Sequence, residues 1–206
     1  MYNLCKNRFN FNCKEIFICC LFDKIGATLV GAKPAELLNV SVEGPKKYNW
    51  EQCKKLLKEH KEIKIVEIRE RRTKRQVLFY HRKSLDNTLK QKSNLKFLTG
   101  LNYPQNYSLE EYVDCLVTKI RGENFPHEIG VFLGYPLKDV LGFFGRPCLK
   151  LVNIKGWRVY GDETLSCKTY HKFHQARQNI RILLEKKEKP EKILLYCEKE
   201  ILAENL

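Results

Sequence analysis

The adjacent residues His127 and Glu128 form the pair in this sequence whose types could transfer protons. The imidazole group exchanges protons close to neutral pH, so His127 is a candidate general acid or base, with the carboxylate of Glu128 beside it. The zinc-protease helix H-E-x-x-H has a second histidine one turn later, but position 131 here is Val. The alternative is that both residues lie in the first turn of a helix, where a carboxylate is favoured.

Four further residues could line a pocket together with His127: Tyr135, Trp157, Tyr160 and Asp162. Small molecules occupy apolar clefts that carry a few polar groups, and this set has that composition. We therefore predict a ligand-binding role for these residues. The alternative is that Trp157 packs inward from a strand while Asp162 caps a helix.

Lys33 is the basic residue best placed to receive an anion. It stands beside Pro34 in a loop of small residues, where backbone amides and an ammonium group can bind a negative charge together. We add Lys33 to the predicted ligand-binding residues and expect a small anionic ligand. The sequence assigns no cofactor.

Positive charge is concentrated between Lys46 and Lys92, which hold 16 basic residues against 6 acidic ones in a chain of net charge +14. Within this stretch, Arg71, Arg72, Lys74 and Arg75 are the candidates for contacts with nucleic acid, and Phe79 and Tyr80 follow as stacking residues. No known RNA- or DNA-binding motif accompanies them. A solvated basic turn is therefore the favoured interpretation, and nucleic acid is not the favoured partner.

Nine cysteines occur at irregular spacing and none forms a C-x-x-C pair. An odd, irregular set argues against a secreted disulfide framework, so we predict reduced thiols in the cytoplasm. Cys167, His171 and His174 share one helix face, but the apolar stripe of that helix lies on another side. We predict that these three residues face solvent, and we assign no metal site.

The apolar run Ile16–Phe22 is the segment that could be mistaken for a membrane anchor or a signal peptide. It is far shorter than the roughly 20 residues that a span requires, and no cleavage site follows it. We therefore predict a cytoplasmic protein that does not associate with a membrane.

Local signals place elements in the first part of the chain. Pro34 is expected to open a helical turn through Leu38, and Asn49 to cap a helix that runs to about His60. Next, Ile63, Ile65, Glu67 and Arg69 alternate with the residues between them, which places these four on one face of a strand. A turn over 71–74 and a second strand over 76–80 complete an antiparallel hairpin.

Stronger signals define the second part of the chain. Ser108 with Glu111 forms a capping box for a helix over 109–121, and Pro126, Gly134 and Pro136 indicate two short helices. Strands are expected over 149–152 and 157–160, a helix capped by Asp162 over 163–186, and a last helix over 190–202. Together these elements predict an α+β fold: one domain over 1–206 with a small sheet, one antiparallel hairpin and several packed helices, ending in a helical segment from about residue 163.

Three stretches of the sequence match a known pattern: F-P-H-E-I-G-V-F-L-G-Y-P over 125–136, G-W-R-V-Y-G-D over 156–162, and T-L-V-G-A-K-P-A over 28–35. They resemble the signatures of domain-of-unknown-function family 3793 from anaerobic bacteria. The resemblance implies no assigned activity, and it implies an association with redox or iron-handling proteins. In that family pattern two cysteines flank these stretches, whereas Ile25 and Ala176 occupy those positions here.

Three functional hypotheses follow. The first is a cytosolic binding or accessory protein for a small anionic ligand, or for a redox- or iron-related ligand or redox protein partner, with its site at Lys33 and the two longer stretches. The second is an enzyme acting on an anionic small molecule with His127 as acid or base. The third is a nucleic-acid-binding module that uses the basic 46–92 region.

Overall fold

A computed structural model describes residues 13–145 and 149–203 of the chain. These residues form two compact units, one of residues 13–81 and 173–203 and the other of residues 82–145 and 149–172. Both units contain helices and antiparallel strands, so the α+β class is confirmed. The extent of a single domain over 1–206 stays a prediction.

The first unit is built around a three-stranded sheet. Its elements are α1 (Cys13–Leu29), β1 (Ala35–Ser41), α2 (Pro45–Lys58), β2 (Ile63–Arg71), β3 (Lys74–His81), the second part of α8 (Thr164–Glu185) and α9 (Pro190–Ala203). The strands are antiparallel in the order β1-β3-β2. The predicted hairpin is therefore present, with β3 at the centre of the sheet.

The core of the first unit lies between one face of this sheet and the helices. Trp50 of α2 is fully buried and meets Phe79 of β3 edge to face, with ring centroids 6.0 Å apart. The Trp50 Nε1–H group donates to Glu67 Oε1 at 2.8 Å, so the one polar atom of the indole is satisfied. We call this face of the sheet the inner face and the opposite one the outer face.

Two local predictions in the first unit are wrong. The residues after Pro34 form strand β1 instead of a helical turn, because Ala35 begins a seven-residue ladder with β3 that outweighs a local helix signal. Asn49 does not cap α2 but is buried inside it. The helix starts at Pro45, preceded by Gly44 at φ 53°, since a proline suits the first turn of a helix.

The second unit is mainly helical. Its elements are α3 (Arg82–Leu89), α4 (Lys92–Thr99), α5 (Leu109–Arg121), α6 (Ile129–Phe132), α7 (Leu137–Phe143), β4 (Leu151–Ile154), β5 (Arg158–Tyr160) and the first part of α8. β4 and β5 form a separate antiparallel pair.

Most helix boundaries of the second unit follow the predicted caps. The Ser108 hydroxyl accepts a hydrogen bond from the Glu111 amide at 3.4 Å, as the capping box requires. Asp162 caps α8 by accepting from the backbone amide and the hydroxyl of Thr164 at 3.0 and 2.8 Å. The two short helices are separated by Gly134, whose φ of 78° terminates the first of them. These predictions are confirmed.

Within residues 13–145 and 149–203, no helix combines the length and the apolar character needed to cross a bilayer.

A pH-dependent loss of stability is expected from His60, which is 2% exposed and accepts a hydrogen bond at Nδ1 from the Glu62 amide. Burial lowers its pKa below 6.5, although Glu198 and Glu62 oppose the shift. A depressed pKa means that the folded state favours the neutral ring. This contribution to stability is therefore complete above pH 6.5 and is lost as the pH falls through the folded pKa.

Urea denaturation on both sides of that pH range measures the effect. The His60→Gln variant, which cannot be protonated there, is expected to lose less stability on acidification than the parent protein. Equal losses in the two proteins would show that His60 is not the group responsible.

Candidate functional site

A concave, positively charged surface lies on the outer face of the three-stranded sheet, near the hairpin turn. It has a volume of about 250 Å³ and is lined by Asn39, Arg69, Arg71, Lys74 and Gln76. We call these five residues the cationic concavity. Three cations and two amides in one concave surface can hold an anion by charge and by hydrogen bonds together.

Strand pairing explains why these side chains meet. Gln76 of β3 is paired with Asn39 of β1 on one side and with Arg69 of β2 on the other. Lys74 is likewise opposite Arg71. Residues directly opposite in antiparallel strands, and residues two apart along one strand, project to the same face.

A β-bulge in β2 places the two arginines on this face. Glu67 is opposite Val77 and Arg69 is opposite Gln76, so the register shifts by one residue at Ile68. Without this shift, the alternation from Ile65 would turn Arg69 and Arg71 toward the inner face. The bulge reverses the alternation, which is a known use of such irregularities near binding sites. The predicted common face of Ile63, Ile65, Glu67 and Arg69 is therefore wrong at Arg69.

The three cations of the concavity, Arg69, Arg71 and Lys74, form no ion pair with any residue that the structure describes. Arg69 donates from Nε to Gln76 Oε1 at 2.9 Å, which orients its guanidinium group without cancelling its charge. The positive field of the concavity is thus available to an external anion.

Arg75 and Arg72, the other two basic candidates at the turn, have different environments. Arg75 projects to the inner face, where it contacts Glu70, Glu67 at 3.0 Å and Glu51 at 3.8 Å. The hydrogen bond to Glu70, followed by that to Glu67, raises the pKa of Arg75. Its charge is therefore already balanced. Arg72 is exposed at the turn, with φ 53°.

The proposed stacking residues Phe79 and Tyr80 are not accessible. Phe79 is fully buried against Trp50, and Tyr80 is buried as well. The prediction that they stack on bases is wrong, because both rings are buried and a base cannot reach them. A ligand at the hairpin would instead meet charged and amide groups.

Lys33 lies in the first unit and is almost buried. Its Nζ contacts Glu36 Oε2 at 2.5 Å and lies 5.8 Å from the centre of the Phe173 ring. The ammonium group is therefore already in contact with a carboxylate and an aromatic face. Its predicted role in receiving an anion stays a prediction.

In the second unit, the two longer signature stretches meet around a buried carboxylate that the sequence analysis did not select. Asp139 is 2% exposed; its Oδ2 accepts from Trp157 Nε1 at 2.8 Å and from Ser166 Oγ at 2.6 Å. Its Oδ1 accepts from the Tyr160 amide at 2.9 Å and from Lys138 Nζ at 2.6 Å. One carboxylate thus joins α7, β5 and α8.

Burial acts to raise the pKa of Asp139, but its hydrogen bonds, led by those from Lys138 and Ser166, hold that pKa below the ordinary value of 3.8. The carboxylate is therefore ionised and fully engaged at neutral pH. Such a group stabilises local structure, and its oxygens have no capacity left for a ligand.

Tyr135 and Trp157 do come together, as the pocket hypothesis expected. Their rings stack with centroids 4.5 Å apart and an angle of 16° between planes. Tyr160 is buried in the same region, and a side chain at Gly142 would overlap its ring. Asp162 is exposed and caps α8. The ligand-binding role of these residues stays a prediction.

His127 and Glu128 lie in the turn before α6 and have opposite environments. His127 is exposed, and its ring centre is 4.7 Å from that of Phe143. Glu128 is 5% exposed; its Oε1 lies 3.4 Å from both the Tyr103 hydroxyl and Lys119 Nζ. Burial, with the nearby Glu128 carboxylate, raises the pKa of Tyr103.

The two side chains therefore do not converge on one reacting atom in this structure. Acid–base catalysis by His127 stays a prediction that no further contact supports.

Cys167, His171 and His174 share one face of α8 but differ in their surroundings. Both histidines are exposed, and Cys167 Sγ lies 2.9 Å from Lys155 Nζ. Among the side chains that the structure describes, no three His, Cys, Asp or Glu residues lie close enough together to hold a metal ion.

Four residues of these sites were missed by sequence reasoning. Arg69 lies within the basic run but was assigned to the opposite face, and Asn39 and Gln76 carry no local signal. Asp139 does have a local signal. It is the one carboxylate in the mainly apolar segment L-K-D-V-L-G, which indicates a buried acid that requires hydrogen-bond donors.

These features describe a helix-rich α+β protein with a cation-lined face on a small antiparallel sheet. The chain belongs to the family described as protein of unknown function (DUF3793), whose model matches residues 21–194. The family to which the sequence analysis pointed is thereby confirmed. Comparison with curated proteins and with solved structures found no match.

Proposed function

We propose that this protein is a cytoplasmic binding protein whose cationic concavity holds a phosphate-bearing anion. The observation that supports the proposal is the convergence of Arg69, Arg71 and Lys74, none of them ion-paired among the described residues, on one concave surface. Guanidinium groups donate two parallel hydrogen bonds to phosphate oxygens, so two arginines and a lysine suit this group.

The cytoplasmic part of the proposal is supported by the cysteines. The six cysteines with described side chains form no disulfide, as expected in a reducing compartment. Cys53 is buried, which raises its pKa to about 12 and makes it a poor nucleophile at neutral pH. The three buried thiols, Cys19, Cys53 and Cys197, are suited to packing in the core.

Removing the three cations is expected to weaken binding of pyrophosphate, the probe chosen here, by roughly 30- to 100-fold. The figure assumes that each partly exposed charged contact contributes up to about 1 kcal/mol. Isothermal titration calorimetry of the Arg69→Ala/Arg71→Ala/Lys74→Ala variant measures the loss.

The matched control removes three exposed cations of α2 from the same unit, in the variant Lys47→Ala/Lys55→Ala/Lys58→Ala. Its net charge is the same as that of the first variant, and the concavity is intact. We expect it to bind pyrophosphate almost as the parent protein does. Equal losses in both variants would mean that net charge alone attracts the anion, and the proposed site would be wrong.

A further inference from the structure

We infer that the anion bound at the outer face is the backbone of a single-stranded nucleic acid, which lies along strand β2 and around the hairpin turn. This inference rests on the proposed function, because it names the class of ligand that the cationic concavity takes. It differs from the simpler case of one small phosphate compound.

The first argument is that cations continue beyond the concavity at both ends. Lys64 is opposite Tyr80 in the register, and it is exposed on the outer-face side of β2. Arg72 is exposed at the turn. Among the described residues, neither forms an ion pair. Five cations therefore lie on β2, at the turn and at the start of β3, more than a single phosphate group can contact.

The second argument is the length of this series. At about 3.3 Å per residue, the distance along β2 from Lys64 to Arg71 is about 20 Å, allowing for the bulge. Phosphates advance by about 3.4 Å per nucleotide along the axis of a stacked strand, and by more along an unstacked one. Several successive phosphates can therefore lie beside the series of cations. The regularly placed negative charges of a nucleic acid then complement the cations of the protein.

The third argument favours an unpaired strand over a duplex. β-strands twist, and the bulge at Ile68 adds to the local twist, so the series of cations is curved. Duplex DNA is stiff over about 150 base pairs, whereas a single strand can follow the curve. Only an unpaired strand also lets one nucleotide enter the concavity, where Asn39 and Gln76 offer amide groups.

The residues that line the concavity predict which parts of the nucleic-acid strand the protein contacts. Among the described residues, none that lines the concavity is aromatic, so bases have no stacking surface there. Contacts are then mainly to phosphates, which makes binding independent of sequence and strongly dependent on salt.

Fluorescence anisotropy with labelled 12-nucleotide oligo(U) and oligo(dT) tests the inference in the full-length protein. With five phosphate contacts, the slope of log K against log salt is expected to be about −3.5. In Arg69→Ala/Arg71→Ala/Lys74→Ala, two contacts remain, and the slope is expected to fall to about −1.4. The α2 control Lys47→Ala/Lys55→Ala/Lys58→Ala should keep the parent slope. The two oligonucleotides separate RNA from DNA as the natural source of the strand.

Three outcomes would overturn the inference. If pyrophosphate binding depends on the concavity but the oligonucleotides bind no more tightly than pyrophosphate, the anion site stands and the nucleic-acid assignment is wrong. If poly-glutamate or a duplex of the same sequence binds as tightly as the single strands, the class of ligand is wrong. If neither pyrophosphate nor oligonucleotides bind, both the inference and the proposed function fail.

Discussion

Replacing Asp139 with asparagine is expected to lower the free energy of unfolding by about 3 to 5 kcal/mol, because buried hydrogen-bond donors lose their charged acceptor. In the parent protein, Oδ2 accepts hydrogen bonds from Trp157 and Ser166, and Oδ1 accepts one from the Tyr160 amide. Asparagine has the same shape, but an NH₂ group replaces one of the two oxygens. At least one of these donors then faces another donor and loses its hydrogen bond. Lys138 also loses its counter-charge. Urea denaturation measures the change.

Two variants serve as controls for this prediction. Asp162→Asn makes the same chemical change at an exposed helix cap, and asparagine caps helices as well as aspartate does, so its stability should hardly change. Ser166→Ala removes one hydrogen bond to Asp139 and should cost about 1 kcal/mol. If Asp139→Asn costs no more than Asp162→Asn, the buried carboxylate does not hold this region together.

Replacing Trp50 with alanine is the second change with a large expected effect, about 3 to 5 kcal/mol. The indole is fully buried between α2 and the inner face of the sheet, where it meets Phe79 and donates to Glu67. Its removal leaves a cavity beneath the strands that carry the cationic concavity. Chemical denaturation followed by far-ultraviolet circular dichroism measures the loss without relying on a fluorophore that the variant lacks.

Trp50→Phe separates packing from hydrogen bonding. Phenylalanine fills most of the space but cannot donate to Glu67, so the expected cost is about 1 to 2 kcal/mol. Because Lys54 at 2.8 Å and Arg75 at 3.0 Å also hold Glu67, this carboxylate is not left without a partner. A Trp50→Ala variant no less stable than Trp50→Phe would contradict the role given to the indole.

Local sequence signals were sufficient for much of the second unit and for the hairpin. The Ser108 capping box, the Asp162 cap and the glycine at 134 each act through hydrogen bonds or backbone angles within a few residues. Such signals can be read from the sequence directly. They failed at Pro34 because the residues after it pair with β3, which lies about forty positions away in the chain.

The cationic concavity could not be assembled from the sequence because it depends on a register. The alternation in β2 is regular as far as Glu67, and a regular strand would place Arg69 with Ile65 on the inner face. The extra residue Ile68 reverses that assignment. The amino-acid composition does not predict such a bulge. Asn39 and Gln76 become neighbours only when the strands are paired.

The buried carboxylate of Asp139 could not be identified from the sequence either, for a different reason. Sequence reasoning selected the aromatic and ionisable residues of the two signature stretches, and Tyr135 does meet Trp157. The group that joins them, Asp139, lies between the stretches and was taken as part of a short helix. Asp139 is buried, so each hydrogen bond to its carboxylate contributes strongly to stability. The sequence does not show this burial.

Binding at the outer face can be observed directly by nuclear magnetic resonance of nitrogen-15-labelled protein, through the side-chain Nε–H signals of its arginines during a pyrophosphate titration. Arg69 and Arg71 line the cationic concavity, whereas Arg75 lies on the inner face among Glu51, Glu67 and Glu70. The proposal predicts saturable shifts of the Arg69 and Arg71 signals while the Arg75 signal stays in place. Unchanged Arg69 and Arg71 signals, or equal small shifts of all arginines, would contradict an anion site on this sheet.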